Sequence, residues 1–183
     1  MRNALVLLVL ILTATSSLAD TAAAWAALRA GNAVALIRHA DAPGIADPAG
    51  YTLEDCSTQR NLSERGRAQA TAIGALFHAR QIEAKVISSP WCRCLETARL
   101  MDLGPVAVDS SFSNAFVLAD RREELKQRGS AAISGWKGGN LAIVTHGSNI
   151  AALSGQEVPP AEMLVVEPGI IPLRVIGRIP SPN

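Results

Sequence analysis

Arg38-His39 stands at the end of an apolar run, Ala33-Val34-Ala35-Leu36-Ile37, with Pro43 and Gly44 following soon after. A short run rich in Val and Ile, closed by turn residues, reads as a buried strand. A fixed cation and an imidazole at its carboxyl end put charge and a potential nucleophile where ligands of open α/β sheets collect. Two further junctions repeat the pattern. Ser88-Ser89-Pro90-Trp91-Cys92-Arg93 leads from a strand into a helix, whose first N–H groups and Arg93 both offer positive charge. Ile143-Val144-Thr145-His146-Gly147 ends another strand. Any one of these could be a capping histidine or a solvated arginine; their recurrence at three strand ends favours a site. Two arginines and two histidines around one point fit a tetrahedral dianion. Guanidinium keeps its charge and pairs with phosphoryl oxygens, and a neutral imidazole is a competent nucleophile. The sequence has no carboxylate cluster suited to magnesium and no Cys/His spacing suited to zinc. The chemistry is therefore expected to run on protein groups, with no cofactor or metal.

The remaining pattern supplies elements to position these residues. A short helix is expected over 21–30, stopped by Gly31, before the strand at 33–37. The loop 41–59, with Pro43, Gly44, Pro48, Gly50 and Cys56, is long enough to be read as functional. Ser63 caps a helix running to about Ala79; a strand covers 85–88, and Ser89-Pro90 opens a helix to about Met101. A strand at 106–108, a charged helix over 120–133, the strand at 141–145 and a short helix over 149–154 follow. Strands at 163–166 and 173–176 are expected to pair as a hairpin at a sheet edge. Such alternation implies a mostly parallel sheet covered on both faces, with the strand carboxyl ends on one edge.

Residues 1–19 read as a signal peptide: Met1-Arg2-Asn3 is a basic start, Leu5–Leu12 an apolar run, and Ser17-Leu18-Ala19 a small-x-small cleavage site. Residues 20–183 are then a single domain, exported to the bacterial periplasm or secreted. No later stretch is long and apolar enough to span a membrane. With 17 basic and 16 acidic residues, the net charge of +1 argues against a nucleic-acid partner held by a general basic surface.

Ile37-Arg38-His39-Ala40, then Asn61-Leu62-Ser63-Glu64-Arg65-Gly66, then Ser88-Ser89-Pro90-x-x-Arg93-x-x-x-Thr97-Ala98, then Val144-Thr145-His146-Gly147 resembles the histidine phosphatase superfamily in order and spacing. These are the relatives of phosphoglycerate mutase and acid phosphatase. The resemblance implies a three-layer α/β/α sandwich with a mostly parallel central sheet. It implies a phosphate pocket of Arg38, His39, Arg93 and His146, a phosphohistidine intermediate on His39, and a small phosphorylated substrate, envelope-linked if the protein is exported. The sequence departs from the family at Ala40, where glycine is usual. It lacks the asparagine expected soon after the Arg-His motif in mutases, and Phe112–Glu124 replaces the Gly-x-Trp-Glu-Gly stretch near their catalytic acid. Asp41 and Glu123 are equal candidates for the acid. The reading is a metal-independent phosphomonoester hydrolase. A non-catalytic phosphate- or phosphoglycan-binding protein and a protein phosphohistidine phosphatase are the alternatives.

A Cys92–Cys94 bond would close a strained ring, so Cys56 pairs with one of them. The family usually has a small buried residue just after the motif arginine, where Cys94 stands. The resemblance therefore implies a Cys56–Cys92 disulfide.

Overall fold

The computed structural model describes Leu18 and residues 20–182. The expected signal peptide lies, but for Leu18, outside the described residues. The chain forms one six-stranded sheet in the order β3-β2-β4-β1-β5-β6. Its strands are β1 (Val34–Arg38), β2 (Lys85–Ser88), β3 (Val106–Val108), β4 (Leu141–Thr145), β5 (Met163–Glu167) and β6 (Arg174–Ile179). β1, β2, β3 and β4 are mutually parallel, whereas β5 runs antiparallel to both β1 and β6. The C-terminal pair is thus the expected hairpin, with β6 at the edge and β5 inside it.

The pleat sends alternate residues to opposite faces, and the sequence makes both faces apolar. Ala35 and Ile37 of β1 join Ala142, Val144, Met163 and Val165 on one side. Val34 and Leu36 join Leu141, Ile143, Leu164 and Val166 on the other. The first face is covered by α1 (20–30), α2 (Glu64–His78) and α3 (Cys92–Leu100) through Trp25, Leu28, Ile73, Phe77 and Ala98. The second is covered by α4 (Arg122–Ser134) and α5 (Gly147–Ser154) through Ile133, Ile150 and Leu153. Each large apolar side chain so buried stabilises the fold by about 1.5–3 kcal/mol. The result is the expected three-layer α/β/α sandwich.

Local chemistry sets the helix starts. The Ser63 side chain accepts from the Gly66 backbone N–H at 3.0 Å, opening α2 as expected. α5 begins at Gly147, directly after His146, two residues earlier than the apolar pattern suggests. α4 begins at Arg122, because the 3-10 turn Ala119–Arg121 takes up the preceding residues.

Candidate active site

Strand register brings the three junctions level. Arg38 pairs with Thr145 across β1 and β4, and Ser88 pairs with Val144 across β2 and β4. The ladder continues one step past the strands: His39 N–H donates to Thr145 O and Ser89 N–H to Val144 O, each at 2.9 Å. The next side chains out are therefore His39, Ser89 and His146. The two imidazoles are nearly buried, with ring centroids 5.5 Å apart. Arg38, His39 and His146 line one cleft of about 550 Å³ at the carboxyl edge of the parallel strands. Gly147 allows the close approach: a Cβ there would lie 3.3 Å from Cδ and Nε of Arg38.

His39 Nδ1 lies 2.8 Å from the Ala40 carbonyl. A carbonyl only accepts, so Nδ1 carries the proton and the free lone pair of the neutral ring is on Nε2. Burial lowers the His39 pKa to about 3. The bond to Ala40 opposes this, and the charges of Arg93, Arg60 and Arg38 add to it. Burial likewise pushes His146 well down, helped by His39 and the same three arginines. Both rings are neutral at physiological pH. His146 Nε2 shares a hydrogen bond with Ser89 Oγ at 2.9 Å.

Arg93 is placed differently from the other three. It is 1% exposed and does not line the cleft. Its Nη1 donates to Asp47 Oδ1 at 2.7 Å in a pair whose two side chains are each 1% exposed. Asp47 also accepts from the Arg60 backbone N–H at 3.0 Å and from Trp91 Nε1 at 3.1 Å. Burial works to raise the Asp47 carboxyl, but these donors and the Arg93 charge outweigh it and hold the pKa below its ordinary value. Arg60 enters the cleft as a cation, braced by the carbonyls of Ala42 and Gly44. The Nε atoms of Arg38, Arg60 and Arg93 are buried without a protein hydrogen-bond partner among the described residues. Buried donors short of acceptors suit an oxyanion.

Neither expected acid lines the cleft. Asp41 Oδ2 accepts from Ser63 Oγ at 2.6 Å, and the Asp41 carbonyl lies where a Cβ on Gly66 would fall, at 2.1 Å. Asp41 thus ties the start of α2 to the end of β1. Glu123 is exposed on α4, within reach of Gln127. The carboxylate lining the cleft is Glu157, in the segment after α5.

Asp47, Arg60 and Glu157 escaped the sequence reading because isolated charges in loops have no periodicity. The one available signal was that Arg60 directly precedes the Asn61-Leu62-Ser63 motif. The cysteines behave as the resemblance implies. Cys56 and Cys92 form a disulfide, and Cys94 is buried, its pKa pushed up to about 12 by desolvation. The bond ties the loop that carries Asp47 to the start of α3, beside Arg93. For its 36-residue separation, chain-entropy reasoning gives about 4 kcal/mol of stabilisation.

A strand-end histidine with its Nδ1 tied to backbone, a second histidine and arginines whose buried Nε atoms lack partners among the described residues fit a histidine-type phosphatase. Residues 34–116 match the family model of the histidine phosphatase superfamily, branch 1, which spans the first three motifs. The fourth, His146-Gly147, is joined to them by the fold. Over residues 34–116, which are under half of the chain, the protein is similar to this superfamily. Its fold is that of a candidate alpha-ribazole-5'-P phosphatase from Escherichia coli K-12, with 17% identity, TM-score 0.60, and coverage of 84% of this chain and 99% of that one. It is also similar to mycobacterial glucosyl-3-phosphoglycerate phosphatase in complex with VO3, with 18% identity, TM-score 0.55, and coverage of 79% and 96%. The protein histidine phosphatase SixA complexed with tungstate matches with 16% identity, TM-score 0.52, and coverage of 81% and 96%. No curated protein sequence matches the chain.

Proposed function

We propose that the protein is a metal-independent phosphomonoesterase that works through phospho-His39. The carrying observation is the fixed tautomer of His39 in a cleft bordered by cations. The Nε2 lone pair forms the N–P bond as the bond from phosphorus to the leaving oxygen breaks. Arg38, Arg60 and His146 face the phosphoryl oxygens, while the buried Arg93 adds field to the same point and reinforces the burial that keeps both imidazoles neutral. Glu157, as the carboxyl in the cleft, gives its proton to the departing alkoxide. It then takes a proton from the water that cleaves phospho-His39, releasing orthophosphate. The signal-like start of the chain and the Cys56–Cys92 bond support an exported enzyme, periplasmic or secreted, acting on a small envelope-linked phosphate. Among the described residues no helix is long and apolar enough to cross a membrane.

The test is release of p-nitrophenol from its phosphate ester with chelator present, followed by acid quench with labelled substrate and mapping of the label to His39. Phosphate binding without turnover would replace this reading with that of a binding protein. Glu157→Gln should slow alkyl phosphates by roughly 10²-fold while sparing the aryl ester, whose leaving group needs no proton. If Asp41→Asn or Glu123→Gln showed that selectivity instead, the acid would be reassigned.

A further inference from the structure

The mouth of the cleft is unlike its floor. Ile45 and Phe116 both line it, and they are 87% and 56% exposed. Single exposed apolar side chains are ordinary on a protein surface. These two differ because they border one anion site from separate loops, and because both loops are braced. The backbone on either side of Ile45 is held. Arg60 donates to the carbonyls of Ala42 and Gly44, and Asp47 is fixed by Arg93, Trp91 and the Arg60 N–H. Phe116 N–H donates to Asn114 Oδ1 at 3.1 Å, and Ala115 N–H to Asn149 Oδ1 at 3.1 Å. Neither residue has collapsed onto the core, although Ala115 beside Phe116 is 1% exposed. Ala151, Val158 and Pro159 also line the cleft. Asn114 Oδ1, in the same lining, already takes Phe116 N–H and Ser148 Oγ. An apolar leaving group would shield Ile45 and Phe116 from water.

Resting on the phosphatase reading above, we infer that the substrate is a phosphomonoester whose alcohol carries an extended alkyl chain, gripped between Ile45 and Phe116. The floor binds the phosphoryl group of any ester, and the rim discriminates among alcohols. Burying a methylene favours binding, so selectivity should grow with chain length.

The experiment is kcat/KM for ethyl, butyl, hexyl and octyl phosphate, below their micelle-forming concentrations, with glycerol 3-phosphate for comparison. Orthophosphate inhibition is measured alongside to report on the floor. The wild type should gain up to about fourfold per buried methylene and should disfavour the glycerol ester. Ile45→Ser and Phe116→Ser, both at exposed positions that contribute little to folding, should flatten that rise. A flat or falling series in an active, phosphate-inhibited enzyme overturns the inference and leaves the phosphatase reading standing. A rise that the variants leave intact overturns the role of these two residues. Absence of turnover across all esters takes down the phosphatase reading, and this inference with it. Sedimentation with phosphatidylcholine vesicles, lost in the same variants and paired with a flat series, would overturn it in favour of a membrane contact.

Discussion

The sheet has a basic cavity at each end of its parallel strands, and the larger one is not the site. The cavity at the amino edge measures about 920 Å³, against about 550 Å³ for the cleft at the carboxyl edge, and is lined by Arg29, Arg80 and Lys85. There the cations are satisfied or solvated. Arg80 lies 4.3 Å over the Trp25 ring and donates to Leu76 O, Lys85 sits 5.4 Å over Trp136, and Arg29 is exposed. Asn140 fills its own hydrogen-bonding capacity with the Leu28 and Glu83 carbonyls and the Ala33 N–H. At the carboxyl edge two imidazoles are nearly buried, and three guanidinium nitrogens lack partners among the described residues. The comparison shows that neither volume nor the number of basic residues makes a site. What distinguishes the cleft is polar capacity that the fold buries and leaves unspent.

The largest effect should separate the two edges outright. His39→Gln should lower turnover of p-nitrophenyl phosphate by on the order of 10⁴-fold or more, since the amide cannot take the phosphoryl group as the ring does. Lys85→Ala and Arg80→Ala at the other edge should leave it within about twofold. Near-normal activity in His39→Gln would remove the nucleophile from its role. A large loss in Lys85→Ala would mean that the amino-edge cavity takes part.

What was legible in the sequence was whatever the strand pattern carries. β1 announces itself by an unbroken apolar run, and Arg38-His39 by following it at once. The parallel sheet then obliges the other strand ends to meet them. The disulfide followed from resemblance, because one of two neighbouring cysteines sits where a small buried residue is usual. The counter-charge of Arg93 was illegible. Asp47 lies 46 residues away in an irregular loop, and only the folded path of that loop brings them together. The expected acids lie outside the cleft lining for a related reason. Asp41 is near His39 in sequence, but a polar residue at a strand end can equally serve the next helix, and Asp41 does.

The second prediction contrasts the buried pair with a surface one. Asp47→Ala leaves the Arg93 cation buried without a counter-charge and should cost about 3–5 kcal/mol in urea unfolding. Adding Arg93→Met should recover part of that loss, because the unpaired charge is then gone. Glu96→Ala breaks the Arg67–Glu96 pair, whose side chains are 49% and 32% exposed, and should cost no more than about 1 kcal/mol. Equal costs for the two pairs would refute the claim that burial sets them apart.

The smallest effect tests the same contrast through the histidines. His39 has a folded pKa of about 3 against an ordinary 6.5, and His146 is shifted in the same direction. Below pH 6.5 the unfolded chain takes up protons that the folded rings refuse. Stability is therefore at its full value above that pH and falls as pH drops, levelling off only once the folded rings also protonate. Each such ring contributes a slope of about 1.4 kcal/mol per pH unit, or about 2 kcal/mol lost between pH 6.5 and pH 5. Urea midpoints measured across that range should show the decline, and His39→Gln should remove about half of the part due to the two rings. A slope left undiminished in His39→Gln would show that the buried rings are not its source.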